Sequence, residues 1–208
     1  MTSFFAYDPL TWPEVAALRR DTPLVIPLGE GYDRARLAET LGDPPRVGLL
    51  PPIPYGWPGS GLTTAPEPFA RMVANLLDSL QDDGFSRAYV LQPQGLDLGL
   101  APRAIVQWHR SQLRAEVPLP EDADRDKCVL IPIGHTEQHG YHLPLSTDTL
   151  IIDAIGQGTA RAVPELAVTL PPFPYGASTH RPSFAGTLNV GGRAFEDFWL
   201  AVVDALVG

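Results

Sequence analysis

Part of this sequence occurs twice, and that repetition limits the fold more than any other feature. Pro51-Pro52-Ile53-Pro54-Tyr55-Gly56 returns as Pro171-Pro172-Phe173-Pro174-Tyr175-Gly176, an offset of 120 residues (51 to 171). An apolar run ending in Gly precedes each copy: Val25-Ile26-Pro27-Leu28-Gly29 and Leu130-Ile131-Pro132-Ile133-Gly134, an offset of 105 (25 to 130). A helical apolar stripe follows each. In the first copy it is Phe69, Met72, Val73, Leu76, Leu77 and Leu80; in the second it is Phe195, Phe198, Trp199, Val202, Val203 and Leu206, an offset of 126 (69 to 195). Short apolar runs alternating with helical periods point to a parallel sheet covered on both faces. The expected fold is therefore α/β, three-layer α/β/α with a mostly parallel sheet, in two related halves at residues 1–115 and 116–208.

Local signals fill in the first half. Thr11 and Pro13 open a short helix. Pro23 to Gly29 reads as a buried strand, Asp33 to Leu41 as a helix and Arg46 to Leu50 as a second strand. A longer helix starts near Thr64 and Pro66 and ends at Gly84, before a third strand from Arg87 to Leu91. The second copy reaches only its long helix, so its counterpart of that third strand lies outside the sequence. The second half is expected to be incomplete, and the chain to be the N-terminal portion of a longer protein.

The two offsets before the long helix differ by 15 residues (105 against 120), and the extra residues fall in one stretch. From Gly134 it runs His135-Thr136-Glu137-Gln138-His139-Gly140-Tyr141-His142-Leu143-Pro144-Leu145-Ser146-Thr147-Asp148, with three of the chain's 5 histidines. The first copy has Glu30-Gly31-Tyr32-Asp33 there and no histidine. This loop follows a strand, where open α/β sheets place their sites.

Glu137 and His139 are two apart, so in an extended segment both side chains point to the same side. With Asp148 they make a mixed carboxylate and imidazole set that suits Zn²⁺ or Mn²⁺. Three ligands leave positions open for water, and a carboxylate such as Asp148 can bridge two ions. Other readings remain open at this point. Asp148 after Ser146-Thr147 equally suits a helix cap, and loop histidines such as His135 and His180 more often serve as surface or hydrogen-bonding residues.

Charge and composition exclude other classes. The net charge of −9, from 15 Lys and Arg against 24 Asp and Glu, lacks the basic footprint of a nucleic-acid binder. Cys128 is the only cysteine, which forbids an internal disulfide and suggests a reducing compartment. The start has no basic region followed by an apolar core, and no apolar run approaches the roughly 20 residues of a membrane helix. The expectation is a cytoplasmic protein with neither nucleic acid nor membrane as partner.

Pro132 to Thr149 resembles the signature of the creatininase (creatinine amidohydrolase) family. Pro171 to Ser178, His180 and Phe184-Ala185-Gly186-Thr187-Leu188 resemble the family's next motif. The resemblance covers about residues 124–208 and implies an α/β fold holding two divalent ions, Zn and/or Mn. By position, Glu137 and His139 would bind different ions and Asp148 would bridge them, while His142 and His180 would line the substrate site. It further implies a homo-oligomer that hydrolyses a small-molecule amide, a non-peptide or cyclic C–N bond, through a metal-activated water. Tyr141 stands where the family usually has Pro, and Ser146 where it has Gly or Asn; neither change removes a ligand. The family's later ligands, a His in a Gly-rich motif and a Glu, have no counterpart here, and no catalytic residue is assigned. The first half resembles a degenerate copy with a structural role. The alternative expectation is an inactive metal-binding pseudoenzyme or scaffold completed by another chain.

Overall fold

The computed structural model describes residues 1–109, 112–113, 120–179 and 183–207. Strands β1 (Ser3–Ala6), β2 (Leu24–Pro27), β3 (Arg46–Leu49), β4 (Ala88–Pro93) and β5 (Ile105–Trp108) form one sheet in the order β1-β3-β2-β4-β5. Every neighbouring pair is parallel. The connections carry helices α1 (Trp12–Ala16), α2 (Arg34–Thr40) and α3 (Pro66–Asp82). Thr11 starts α1: its N–H and hydroxyl both donate to the Glu14 carboxylate, at 2.7 and 2.9 Å. Asp33 caps α2 by accepting from the Ala35 and Arg36 N–H groups.

The central strands are apolar on both sides because both sides are covered. Leu24 and Ile26 of β2 and Val90 of β4 face the core that holds Val15 of α1 and the apolar stripe of α3. Val25 and Leu91 face the opposite way, against Leu37 of α2 and Leu41. This is the three-layer, parallel arrangement expected from the alternation of elements.

The second half has a separate parallel pair, β6 (Cys128–Leu130) and β7 (Ala167–Thr169), connected through α4 (Thr147–Ala162) and followed by α5 (Gly192–Val207). Its register follows the sequence offsets. Leu24 pairs with Gly48 and Val25 with Leu49, while Val129 pairs with Val168 and Leu130 with Thr169. Beyond the strands, the bridges Leu28–Ile53 and Ile133–Phe173 stand at the same two offsets, 105 and 120. The bridges Gly56–Thr63 and Gly176–Asn189 stand at 120 and 126. Helices α3 and α5 pack against each other, with the Phe69 and Phe198 rings 6.2 Å apart and an ion pair between Arg71 and Asp197.

One apolar core runs through both halves. Leu145, Leu170, Phe173, Tyr175, Phe198 and Val202 share it with Tyr7, Ile26, Tyr55 and Leu76. Phe173 lies at its centre, with ring centroids 5.5 Å from Tyr55, 5.1 Å from Phe198 and 5.2 Å from Trp199. The Tyr175 hydroxyl donates to the Pro51 carbonyl at 2.5 Å, joining the two Pro-Pro motifs.

Three strands, β1, β5 and β7, lie outside the sequence expectations. Each is three or four residues long, too short for a period-2 pattern to register. Helix α4 also differs from an ordinary amphipathic helix. Leu150, Ile151 and Ile155 are exposed, and its one fully buried residue is Gly156. A Cβ at Gly156 would sit 3.0 Å from both Pro132 and Thr169, so α4 crosses the β6–β7 layer closely at that point. Among the described residues, no helix is long and apolar enough to cross a membrane.

Candidate metal centre

The loop from Gly134 to Asp148 is held from three sides. The Gly134 N–H donates to the Phe173 carbonyl and the Phe173 N–H to the Pro132 carbonyl, extending the β6–β7 ladder by one step. Glycine is required at 134, where a Cβ would lie 2.6 Å from the Thr149 Cα. The segment around Thr187 then fastens the loop. The Leu188 N–H donates to the Thr136 carbonyl at 3.0 Å, and the Gln138 N–H to the Thr187 hydroxyl at 3.2 Å. The first half supplies the third side: the Leu145 and Ser146 N–H groups donate to the Leu10 and Asp8 carbonyls, at 2.8 and 3.0 Å. Within the loop the Glu137 N–H donates to the Leu145 carbonyl, and His139 bridges Leu143. The intervening turn uses Gly140 at φ +73°.

This folding gathers the ligand-type side chains. His135, Glu137 and Asp148 each place one ligand atom within 4.8 Å of the others. His139 also adjoins Asp148, its Nε2 3.2 Å from Asp148 Oδ1. Asp148 is thus close both to His139 and to the His135–Glu137 pair. It is the second residue of α4, and Ser146 holds the N-cap position, so Asp148 is not the helix cap.

Hydrogen bonds to backbone carbonyls fix both imidazoles. His135 Nε2 lies 2.8 Å from the Leu188 carbonyl, and His139 Nδ1 lies 3.0 Å from the Glu137 carbonyl. A carbonyl only accepts, so in the tautomers that donate to those carbonyls the lone pairs are on His135 Nδ1 and His139 Nε2. His135 Nδ1 then faces Glu137 Oε2 at 3.5 Å, and His139 Nε2 faces Asp148 Oδ1. Acceptors facing acceptors, with each ring oriented by a second hydrogen bond, fit a divalent cation between them. The residues present therefore fit a metal.

His135 was not singled out as a ligand from the sequence, because a lone loop histidine carries no spacing signal. Its burial and its Leu188 bond become visible only once the two motifs are brought together. His142 is exposed, its ring 6.5 Å from that of Tyr141. His180 lies outside the described residues. Behind the loop, burial raises the pKa of the Asp8 carboxyl and of Asp83, which accepts the Gly186 N–H at 2.8 Å. Burial also pushes the Tyr175 phenol well up, with the nearby Asp8 and Tyr7 adding to it. The corresponding corner of the first half is a cavity of about 400 Å³ at the carboxyl ends of β1, β2 and β3, lined by Asp8, Glu30, Tyr32 and Arg34 but no histidine.

Residues 116–208 match the creatininase family model, described as creatinine amidohydrolase. A Mycobacterium ulcerans (strain Agy99) protein named mycofactocin precursor peptide peptidase is 48% identical over 73 residues, covering 32% of this chain and 29% of that protein. Proteins of the same name are similar in two further organisms. That of Mycolicibacterium smegmatis is 42% identical over 90 residues, covering 41% of this chain and 32% of its own length. That of Mycobacterium tuberculosis (strain ATCC 25618 / H37Rv) is 43% identical over 74 residues, covering 32% and 30%. The chain spans about a third of the length of the curated relatives it matches. No solved structure matches it significantly. The relatives' name speaks of a precursor peptide, which departs from the expected small-molecule, non-peptide or cyclic amide.

Proposed function

We propose that this chain supplies the first ligands of a creatininase-type, metal-dependent amidohydrolase that cuts an amide bond of a peptide. The observation that carries the reading is the cluster around Asp148, whose carboxylate lies 3.2 Å from His139 Nε2 and within 4.8 Å of ligand atoms of His135 and Glu137. Asp148, Glu137, His139 and His135 would hold the divalent metal, Zn or Mn, with Asp148 the carboxylate that neighbours both imidazole groups. Ions bound there supply Lewis-acid polarisation of the amide carbonyl and an activated water. The chain's own contribution is placement. The Leu188 and Glu137 carbonyls orient the two imidazoles, and the clasped loop fixes the carboxylates before substrate arrives. By the family resemblance, His142 and His180 are the residues expected to contact substrate.

A peptide amide is preferred over a non-peptide one because the curated relatives carry the name of a peptide peptidase. Residues 1–115 act as a creatininase-like half without ligands, supported by the shared register offsets and by the backbone bonds from Asp8 and Leu10 to the metal loop. The exposed Leu150, Ile151 and Ile155 of α4 support self-association into a homo-oligomer. The setting is cytoplasmic.

Metal analysis with calorimetric titration of Zn²⁺ and Mn²⁺, alongside cleavage assays on short peptides, tests the reading. Expected are stoichiometric metal, binding lost in His139→Ala and Asp148→Asn, and cleavage that a chelator abolishes. Absence of bound metal, or His139→Ala binding as tightly as wild type, would overturn it. Metal binding without cleavage would instead favour the inactive metal-binding scaffold.

A further inference from the structure

We propose that Trp12, carried by the half that holds none of the candidate ligands, forms with Tyr141 and Phe184 a wall that receives an aromatic or large apolar side chain beside the amide to be cut. This rests on the amidohydrolase reading above. The Trp12 ring lies 5.4 Å from that of Tyr141 and 5.2 Å from that of Phe184, tilted by 57° and 74°. Each ring belongs to an element that builds the metal centre. Tyr141 follows His139 by two residues, beyond the turn at Gly140. Phe184 leads into the Thr187-Leu188 segment that bonds to Gln138 and His135. Trp12 begins α1, directly after the Asp8 and Leu10 carbonyls that hold Ser146 and Leu145.

Trp12 is also firmly placed. The Thr11–Glu14 bonds fix the start of α1. Val15 and Leu145 both pack against Gly186, where an added Cβ would meet both side chains. A surface helix needs no aromatic at its first position for its own stability. Tyr141, 69% exposed, presents a large ring that the fold leaves uncovered. Tilted rings leave edges and faces for one more aromatic group at ordinary stacking distance. In this reading Tyr141, two residues from His139, brings the rings beside the candidate ligands and supplies an apolar end for the side chain next to the polar end for the amide. Specificity at this site is then set in part by the half that performs no metal chemistry.

The test is equilibrium binding, which needs no turnover. The Zn²⁺-loaded protein, labelled with ¹⁵N at its indoles, is titrated with N-acetyl-L-phenylalaninamide and N-acetyl-L-alaninamide. The phenylalanine amide should bind about tenfold more tightly and shift the Trp12 indole signal. Trp12→Ala should bring the ratio of the two affinities towards one at unchanged zinc stoichiometry, and Trp12→Phe should keep most of it. A merely structural Trp12 would lower the melting temperature and weaken both amides alike. That result, or a preference that survives in Trp12→Ala, overturns the proposal. Failure of wild-type zinc binding or peptide cleavage counts against the amidohydrolase reading instead, so the two failures are separable.

Discussion

Leu145 offers the sharpest test of how the metal loop is held, because Leu143 in the same loop is its control. Leu145 is 0% exposed, whereas Leu143 is 49% exposed. The Leu145 side chain closes against the Gly186 backbone, where an added Cβ would be 3.0 Å away, and against the core that holds Val15. Neither neighbour can collapse into the space that Leu145→Ala leaves, since one is backbone and the other sits on a capped helix. The cost should therefore fall in the upper part of the roughly 2.7–5 kcal/mol seen for buried Leu→Ala changes. For a chain of this size each kcal/mol shifts the melting temperature by about 2–4 °C, so a drop on the order of 10 °C is expected. Leu143→Ala should stay within about 0.5 kcal/mol. A second readout separates loop placement from bulk stability. Zn²⁺ at 100 times its dissociation constant adds about 2.7 kcal/mol of stability, and a tenfold weaker site would halve that gain. Differential scanning fluorimetry of both variants with and without Zn²⁺ measures both quantities. If Leu145→Ala melts within about 2 °C of wild type, or if Leu143→Ala falls as far, the account of Leu145 as the loop's anchor is wrong.

Three further outcomes follow from the same geometry. Phe173→Ala should cost about 3–5 kcal/mol and lower one transition seen alike by far-UV circular dichroism and tryptophan fluorescence; two transitions, with only one shifted, would refute a core shared between the halves. Gly176→Ala places a Cβ 3.0–3.2 Å from the His135 ring, so calorimetry should show zinc binding weakened several-fold; unchanged affinity would remove His135 from the centre. Asp8→Asn addresses a carboxyl whose folded pKa is raised by burial. Its penalty is absent below the unfolded pKa, grows as pH rises from there to the folded pKa, and is complete above it. The variant should melt higher than wild type at pH 7 and alongside it at pH 3; equal gains at both would contradict the assignment.

The sequence shows much of this fold because its repeat is written in residues with strong local meaning. Pro-Pro-X-Pro-Tyr-Gly and the Gly-terminated apolar runs mark the points where strands end, and these are where the paired bridges occur. The long amphipathic helices were equally legible, since six apolar positions on one face leave little room for another structure. What did not show were elements defined by their neighbours. Ala167-Val168-Thr169 becomes a strand only because β6 lies alongside, and Ser3 to Ala6 only because β3 does. At the candidate centre, Glu137, His139 and Asp148 can be proposed as ligands from spacing and resemblance. His135 required the contact with Leu188, 53 residues away, which no local pattern encodes.

The unequal halves have a physical consequence for the site. A 15-residue loop without regular structure costs roughly 1–2 kcal/mol per residue to order, while each hydrogen bond returns only about 0.5–1.5 kcal/mol net. Bonds within the loop are too few to fix it, so its order must come from outside. One source is the Thr187-Leu188 segment; the other is the backbone from Asp8 to Leu10 together with the apolar seat around Leu145. That second source belongs to the half that has no histidine in its own corresponding corner. The backbone from Asp8 to Leu10 and helix α1 therefore matter to the candidate loop without adding a side chain to the cluster of ligand-type residues, because they are what that loop folds against. On this argument, a substitution at Leu10 or Val15 that leaves all four ligand side chains untouched should still weaken zinc binding.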